Sequence, residues 1–306
     1  MSLFLEQTLN GFQLALLLFL VAAGLTLVFG IMDFLNLGHA SLFMMGAYFA
    51  ATFVPWTDSF IIGGLIAIVL TTALGLAIEA VWLKPLYERS HLDQVLGTFG
   101  LVLFFNDFVR LIWGPSGRTV QVPAALRSYV EVLPGVVYPV YRLVLIAAGL
   151  AVAAFLYVLV QRTRLGMAIR AGASDREMAS ALGANIKALS SVIFGLGAAL
   201  AGLAGLLSAP ILTVQIGMGD NILILALVIV VIGGIGSIRG AFLAALIVGL
   251  IDTLGRAYLP DLLRLVLTPV AASTAAGALS STLIYLLLAV VLLVRPRGLF
   301  PVGSGP

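Results

Sequence analysis

Cysteine is absent from this 306-residue sequence, and histidine occurs only twice. The first absence excludes disulfides and thiolate metal sites, and the second leaves no histidine cluster to hold a metal. Charge is scarce too: Asp, Glu, Lys and Arg make up 9% of the chain, against about a quarter in a soluble domain. So few charges cannot maintain a water-facing surface. No Lys or Arg precedes Lys84, so the amino-terminal region lacks the basic flank of a secretory signal peptide, and its first apolar run is expected to remain as a span. There is no G-x-x-x-x-G-K-[ST] phosphate loop either. The nearest glycine cluster, "GGIGSIRG", has no Lys and follows an apolar run, so it cannot cradle nucleotide phosphates.

What the sequence has in abundance is apolar length. Hydrophobic residues form 62% of the chain and the mean hydropathy is +1.18. Continuous apolar runs of about 17–25 residues recur, enough to cross roughly 30 Å of hydrocarbon as helices. A membrane β-barrel would instead show short alternating segments. The expected fold is an all-α polytopic membrane protein, one domain over 1–306, with about eight or nine transmembrane helices. Nine candidate spans cover 12–30, 38–54, 60–83, 95–113, 142–161, 190–208, 222–238, 240–259 and 276–294.

The sidedness of positive charge sets the orientation. Ten of the 16 Lys and Arg residues fall in 84–94, 162–189, near 239 and at the carboxyl terminus. Assigning those to the cytoplasm gives an external amino terminus. With a net charge of only +3, the basic isoelectric point reflects loop residues of this kind and does not signal nucleic-acid binding. The Pro- and Gly-rich stretch 114–141 reads as an external loop. Pro296 and Gly298 stop the last helix, with Arg295 and Arg297 anchored at the lipid headgroups.

Two long apolar runs are each interrupted once, by "MDFLNLGHAS" (32–41) and by "GGIGSIRGA" (233–241). Either interruption reads as a surface turn between full spans, or as a break within the bilayer whose freed backbone lines a cavity. Asn36, Gly38, His39 and Ser41 in the first, and Gly233, Gly234, Gly236 and Ser237 in the second, are the candidate pathway residues. Their small side chains and exposed backbone groups offer temporary partners to a polar solute without a fixed charge; close helix packing is the alternative role for the glycines. Ionisable residues within spans are few: Asp33, His39, Glu79, Asp107 and Asp252. Glu79 is expected to pair with Lys84 and Asp107 with Arg110, while Asp252 faces a neighbouring helix or a subunit interface. "GLGAALAGLAG" (195–205) carries small residues four apart, which permits close helix approach.

One polar stretch stands out, "RAGASDREMASALGAN" (170–185). Ser174 and Glu177 have the spacing of a capping box, Asp175 suits the first turn of a helix, and Gly183 suits a left-handed stop. Asp175, Met178, Ala179 and Leu182 share one helical face. A short cytoplasmic helix is expected over 174–183, its apolar stripe resting on the protein's own loops, on headgroups, or in another protein's groove.

"GLTLVFGIMDFLNLGHASLFMMGAYFA" (24–50), "IEAVWLKPLYERS" (78–90), "GMAIRAGASDREMASALGAN" (166–185) and "VIGGIGSIRGAFLAALIVGLIDTL" (231–254) occur in this order. Together they resemble the inner-membrane permease subunits of ABC transporters for branched-chain amino acids, over nearly the whole chain except the external loop and 260–282. The resemblance implies a multi-pass protein of the bacterial inner membrane, with no cofactor of its own. It implies one half of a two-permease pathway, homodimeric or heterodimeric, for an amino-acid substrate. Two cytoplasmic ABC ATPase subunits and a periplasmic solute-binding protein are its implied partners, besides membrane lipid; nucleic acid is not. The loop 162–189 would couple to an ATPase groove through Arg170, Asp175, Met178, Ala179, Leu182 and Gly183, with Ser174 and Glu177 as the capping residues. Urea or short amides are a variant solute. An ion-driven carrier would need a mid-membrane carboxylate in a broken helix, with Asp33 and Asp252 as its only candidates. A membrane enzyme would need paired carboxylates or a nucleophile with its base, and neither pattern occurs.

Overall fold

In hydrocarbon no water satisfies backbone N–H and C=O groups, so an apolar chain must bond internally as helices. A computed structural model describes residues 2–34, 36–183 and 185–300. The chain enters as α1 (Ser2–Met32), α2 (His39–Thr57) and α3 (Phe60–Ile78). A π-turn (Glu79–Leu83) and a 3₁₀ turn (Lys84–Leu86) then lead to α4 (His91–Trp113). Between α4 and α5 (Val140–Arg162) lies an antiparallel hairpin of β1 (Tyr129–Leu133) and β2 (Val136–Pro139), which the Pro- and Gly-rich composition does not announce. Two short helices follow, α6 (Arg164–Ser174) and α7 (Arg176–Ala181), and then α8 (Ile186–Ser208), α9 (Met218–Gly233), α10 (Ile238–Leu263) and α11 (Pro269–Val294).

Each of the nine expected spans corresponds to a helix. Seven of the described helices are long and apolar enough to cross a membrane. The other two, α2 and the 16-residue α9, flank the interruptions.

Apolar character alone does not separate core helices from lipid-facing ones; burial does. In its most apolar stretch, 83% of α1 is buried and 72% of α8, against 11% of α11. From Ala15 to Ala23 no side chain of α1 is more than 5% exposed. A helix apolar on all sides belongs inside a bundle, and α1 and α8 are the inner pair here. Since lipid tails are as apolar as leucine, helix association in a membrane depends on close packing. Gly202 of α8 lies against Gly46 of α2, and Gly205 lies against the backbone of Phe43 and Ala47. The same helix receives α3, where Gly75 meets Ala198.

The two interruptions resolve differently. After Met32, Asp33 adopts a left-handed backbone with φ of 48°. The chain then turns back, so that the His39 ring touches Gly24 of α1. Gly24 precedes the end of α1 by eight residues, about 12 Å of helix, so α2 starts well inside the bundle. The first interruption is a break surrounded by protein. The second, residues 234–237, is a tight turn joining α9 to α10, where Gly236 packs on Gly30 near the end of α1. The tail covers this turn: Leu299 N–H bonds the Ile232 carbonyl (2.8 Å) and Phe300 N–H the Gly233 carbonyl (3.0 Å). Both are carbonyls that the end of α9 would otherwise leave unpaired.

The α2–α8 contact gives a direct test. A Cβ at Gly205 would lie 2.3 Å from the Phe43 carbonyl oxygen, and backbone cannot yield as a flexible side chain does. Gly205→Val is expected to cost at least the ~1–3 kcal/mol of core overpacking, read as a lower thermal midpoint of the detergent-solubilised protein. At Gly100 of α4 nothing lies within 4 Å of a Cβ, so Gly100→Ala is expected to leave the midpoint unchanged or raise it.

Candidate functional site

The loop between α5 and α8 is built from two caps in series. The Thr163 hydroxyl accepts from the Gly166 amide (3.0 Å) and starts α6. Asp175 then ends α6 and starts α7: its N–H bonds the Ala171 carbonyl (2.9 Å) and its carboxylate accepts from the Met178 amide (2.8 Å). This corrects the expected capping box. Ser174 is the last residue of α6, the cap lies one position later, and Glu177 sits in the first turn of α7 without reaching back to residue 174. Asp and Ser cap equally well. Asp175 prevails because residue 174 is still needed to complete α6. The expected stop is present, with Gly183 at φ 93° and its N–H on the Ser180 carbonyl (3.0 Å).

Nor do the apolar residues of α7 form one exposed stripe. Ala179 is buried, whereas Met178 is 58% and Leu182 81% exposed. Neighbouring residues on a helix point about 100° apart, so Ala179 can anchor the helix to the body while Met178 and Leu182, one turn apart, project together. Behind this helix, Gly172 faces Ile31 of α1 and Leu189 of α8. The Arg170 guanidinium donates to the Val160 carbonyl at the end of α5. Arg170 also lines a cavity of about 220 Å³ together with Gly236 and Ser237. The structure thus brings one residue of the polar stretch to the second interruption.

In that second set the glycines serve packing. Gly233 lies against Gly240, and Gly234, at φ 101°, meets the backbone of Arg297 and Phe300. Ser237 caps α10 by accepting from the Gly240 amide (3.1 Å). The first set has a different character. Asn36, His39 and Ser41 are at most 3% exposed, and Gly38 is buried with them. Asn36 Oδ1, His39 Nε2 and Ser41 Oγ have no hydrogen-bond partner among the described residues, and Thr26 Oγ1 of α1 likewise has none. Such buried atoms normally find partners. Three of them sit at one helix start, where the His39 ring lies against Gly24 and Gly197. The start of α9 joins them: Gly219 packs on the Ala40 carbonyl.

The family model described as branched-chain amino acid transport system/permease component matches residues 7–294. The chain belongs to this family. It is 30% identical to the high-affinity branched-chain amino acid transport system permease protein LivH of Escherichia coli K12, over 97% of this chain and 95% of that protein. It is 31% identical to the permease protein BraD of Pseudomonas aeruginosa, over 82% and 86%, and 25% identical to a probable LivH of Methanocaldococcus jannaschii, over 79% and 78%. No solved structure matches significantly. As a branched-chain permease with seven membrane-length apolar helices, the chain is a multi-pass inner-membrane transport protein. Transport permeases are not an enzyme class, and a permease component is one part of a larger transport system.

Two polar groupings of this permease escape a reading by sequence position. Glu79 pairs with Lys84 (3.4 Å) as its spacing suggests, but it also accepts from Tyr87 (3.1 Å) and from Ser191 of α8 (3.1 Å). The π-turn that begins at Glu79 is the cause, because its extra residue per turn re-aims the side chain. Burial, and after it the charge of Glu79, push the Tyr87 phenol well above its ordinary pKa, so it stays a donor. The other grouping is Asp252 with Arg256 (2.9 Å) on α10. Their four-residue spacing was the available signal, but nothing in the sequence discloses which way the pair faces. The pair Asp107–Arg110 forms as expected, at 3.6 Å on an exposed edge.

The position of the α7 cap is testable. Asp175→Ala is expected to cost about 1 kcal/mol locally and to speed amide hydrogen exchange over 176–181 roughly fivefold. Ser174→Ala is expected to leave that exchange unchanged.

Proposed function

We propose that the chain is the membrane-spanning subunit of an ABC importer for branched-chain or related hydrophobic amino acids, and that α6 and α7 receive the work of partner ATPases. The observation that carries this reading is the exposed Met178–Leu182 pair on a capped helix whose opposite side, at Ala179, is buried in the body. A six-residue helix is too short to persist alone. Held by its cap and by Ala179, it presents two large apolar side chains to water with no lipid to cover them. A groove in a cytoplasmic partner suits that surface. Two such ATPases, one under each of two paired permeases, fit a loop that the charge distribution assigns to the cytoplasm.

Movement of α7 has a short route inward. It is continuous with α6 through the shared Asp175 cap, and Gly172 of α6 touches both α1 and α8. A shift of α8 would part Gly197 from His39 and Gly24, the contact that closes over Asn36, His39 and Ser41. Those groups would then offer hydrogen bonds to a passing solute without a fixed charge to retain it. In this reading the glycines at 233, 234 and 236, with Ser237, hold the turn against which the inner helices move. The external loop 114–141 is the surface for a periplasmic solute-binding protein. An ion-driven carrier is disfavoured, since Asp252 lies in an unbroken helix and is already paired with Arg256, and Asp33, although at the break, is exposed and not enclosed in the bundle.

Met178→Asp combined with Leu182→Asp is expected to lower nucleotide-driven leucine uptake at least about tenfold, a loss of ~1.4 kcal/mol or more in docking. Membrane insertion should be unchanged, and co-purification of the ATPase should fall in parallel. Undiminished ATPase association would sink the docking role. Gradient-driven uptake by the purified chain alone, without nucleotide, would sink the importer.

A further inference from the structure

On α10, Arg256 Nε lies 2.9 Å and 3.0 Å from the two carboxylate oxygens of Asp252, and Nη2 lies 3.3 Å from Ser281 Oγ of α11. The depth of this cluster follows from helix geometry. Counting inward from the cytoplasmic ends of α9, α10 and α11, residues 221, 252 and 281 are all about 18–21 Å along their helices. That is inside a core roughly 30 Å thick. An ionisable side chain at the depth of Asp252 is costly and marks a solute or ion pathway; Arg256, one turn nearer the outer surface at about 27 Å, reaches back to pair with it. A pair serving only to hold helices together would be turned inward. Here the Arg256 side chain is 53% exposed, on a lateral face of the bundle.

Beside the pair is a cavity of about 340 Å³, within the size range of small-molecule sites. Asn221 of α9 and Tyr285 of α11 add polar groups to the charged end, and Ile224, Leu225 and Ile284 form an apolar wall. We infer that this cavity binds the zwitterionic head of an amino acid, with its hydrocarbon side chain against that wall. The inference rests on the permease reading above and adds to the groups at Asn36, His39 and Ser41 a second polar station for the same solute. Arg256 Nη1 has no hydrogen-bond partner among the described residues, so its N–H groups are free for the solute carboxylate. Each Asp252 oxygen accepts from Nε alone and keeps lone pairs for the solute ammonium. Because Asp252 and Arg256 neutralise each other, a zwitterion enters without leaving a net charge in hydrocarbon. A carboxylic acid or an amine, each lacking one of the two charges, would leave one. The same mutual pairing competes with the solute and allows its release. Urea, which carries no charge, gains hydrogen bonds from the pair without the charge–charge attraction that a zwitterion adds.

The natural absence of cysteine allows a direct test on the complete importer, purified with its partners and reconstituted. Asn221→Cys is labelled with a small water-soluble methanethiosulfonate, with leucine, leucinamide, 4-methylpentanoate or urea present. Leucine alone is expected to slow labelling at least fivefold. Equal labelling with and without leucine would overturn the inference, as would a cysteine sealed from reagent under all conditions, which would make this face a dry subunit contact. In parallel, Arg256→Gln and Asp252→Asn are expected to raise KM for leucine at least tenfold with ATP hydrolysis retained. If the exchanged pair Asp252→Arg/Arg256→Asp restores wild-type uptake, the pair serves packing and the inference fails. Wild-type assemblies lacking nucleotide-driven uptake would instead remove the permease reading on which it rests.

Discussion

The need to satisfy backbone hydrogen bonds without water governs this structure. It makes every long apolar run a helix, and it limits irregular backbone to places where protein supplies partners. The chain at the start of α2 meets that condition by folding back, with the His39 ring against Gly24 of α1 and Gly197 of α8. The turn at 234–237 meets it through the tail, whose amides reach the last carbonyls of α9. The start of α2 is where polar groups are satisfied least completely, for Asn36 Oδ1, His39 Nε2 and Ser41 Oγ are buried there without a hydrogen-bond partner among the described residues. A membrane protein retains such a deficit where rearrangement relieves it.

Close packing joins this region to the loop of α6 and α7. α8 carries the small residues that admit α2 and α3, and its first turn lies beside α6. One helix therefore touches the short helices at one end and the break in the bundle further along. The buried carboxylate of Glu79 adds a second tie to α8 through Ser191. Where α8 meets α2 the contact is backbone against backbone, with little side chain between.

Much of the architecture was legible in the sequence because run length and sparse charge are nearly sufficient to specify helices in lipid. The pairs Glu79–Lys84 and Asp107–Arg110 were legible because local spacing decides them. Residue order did not disclose depth or facing. The two interruptions look alike as strings of glycine and polar residues, yet one folds into the bundle and the other turns at its surface; the difference lies in what packs around each. The cap of α7 fell one residue from the expected position because Ser174 was already committed to the preceding helix. The amphipathic stripe divided because Ala179, small enough to approach the body closely, is drawn in while Met178 and Leu182 are not. The cavity beside Asp252 and Arg256 joins residues from three helices, and no local pattern predicts that union.

The hydrogen bonds from Leu299 and Phe300 to the end of α9 bear on biogenesis. Those carbonyls are made long before the amides that cover them, because synthesis runs from the amino terminus. Until α10 and α11 have been threaded and residues 299 and 300 have left the ribosome, the α9–α10 corner stays hydrated and unlatched. This corner is consequently completed only after α10 and α11, and the insertion machinery must hold α9 in place before its last carbonyls find their partners.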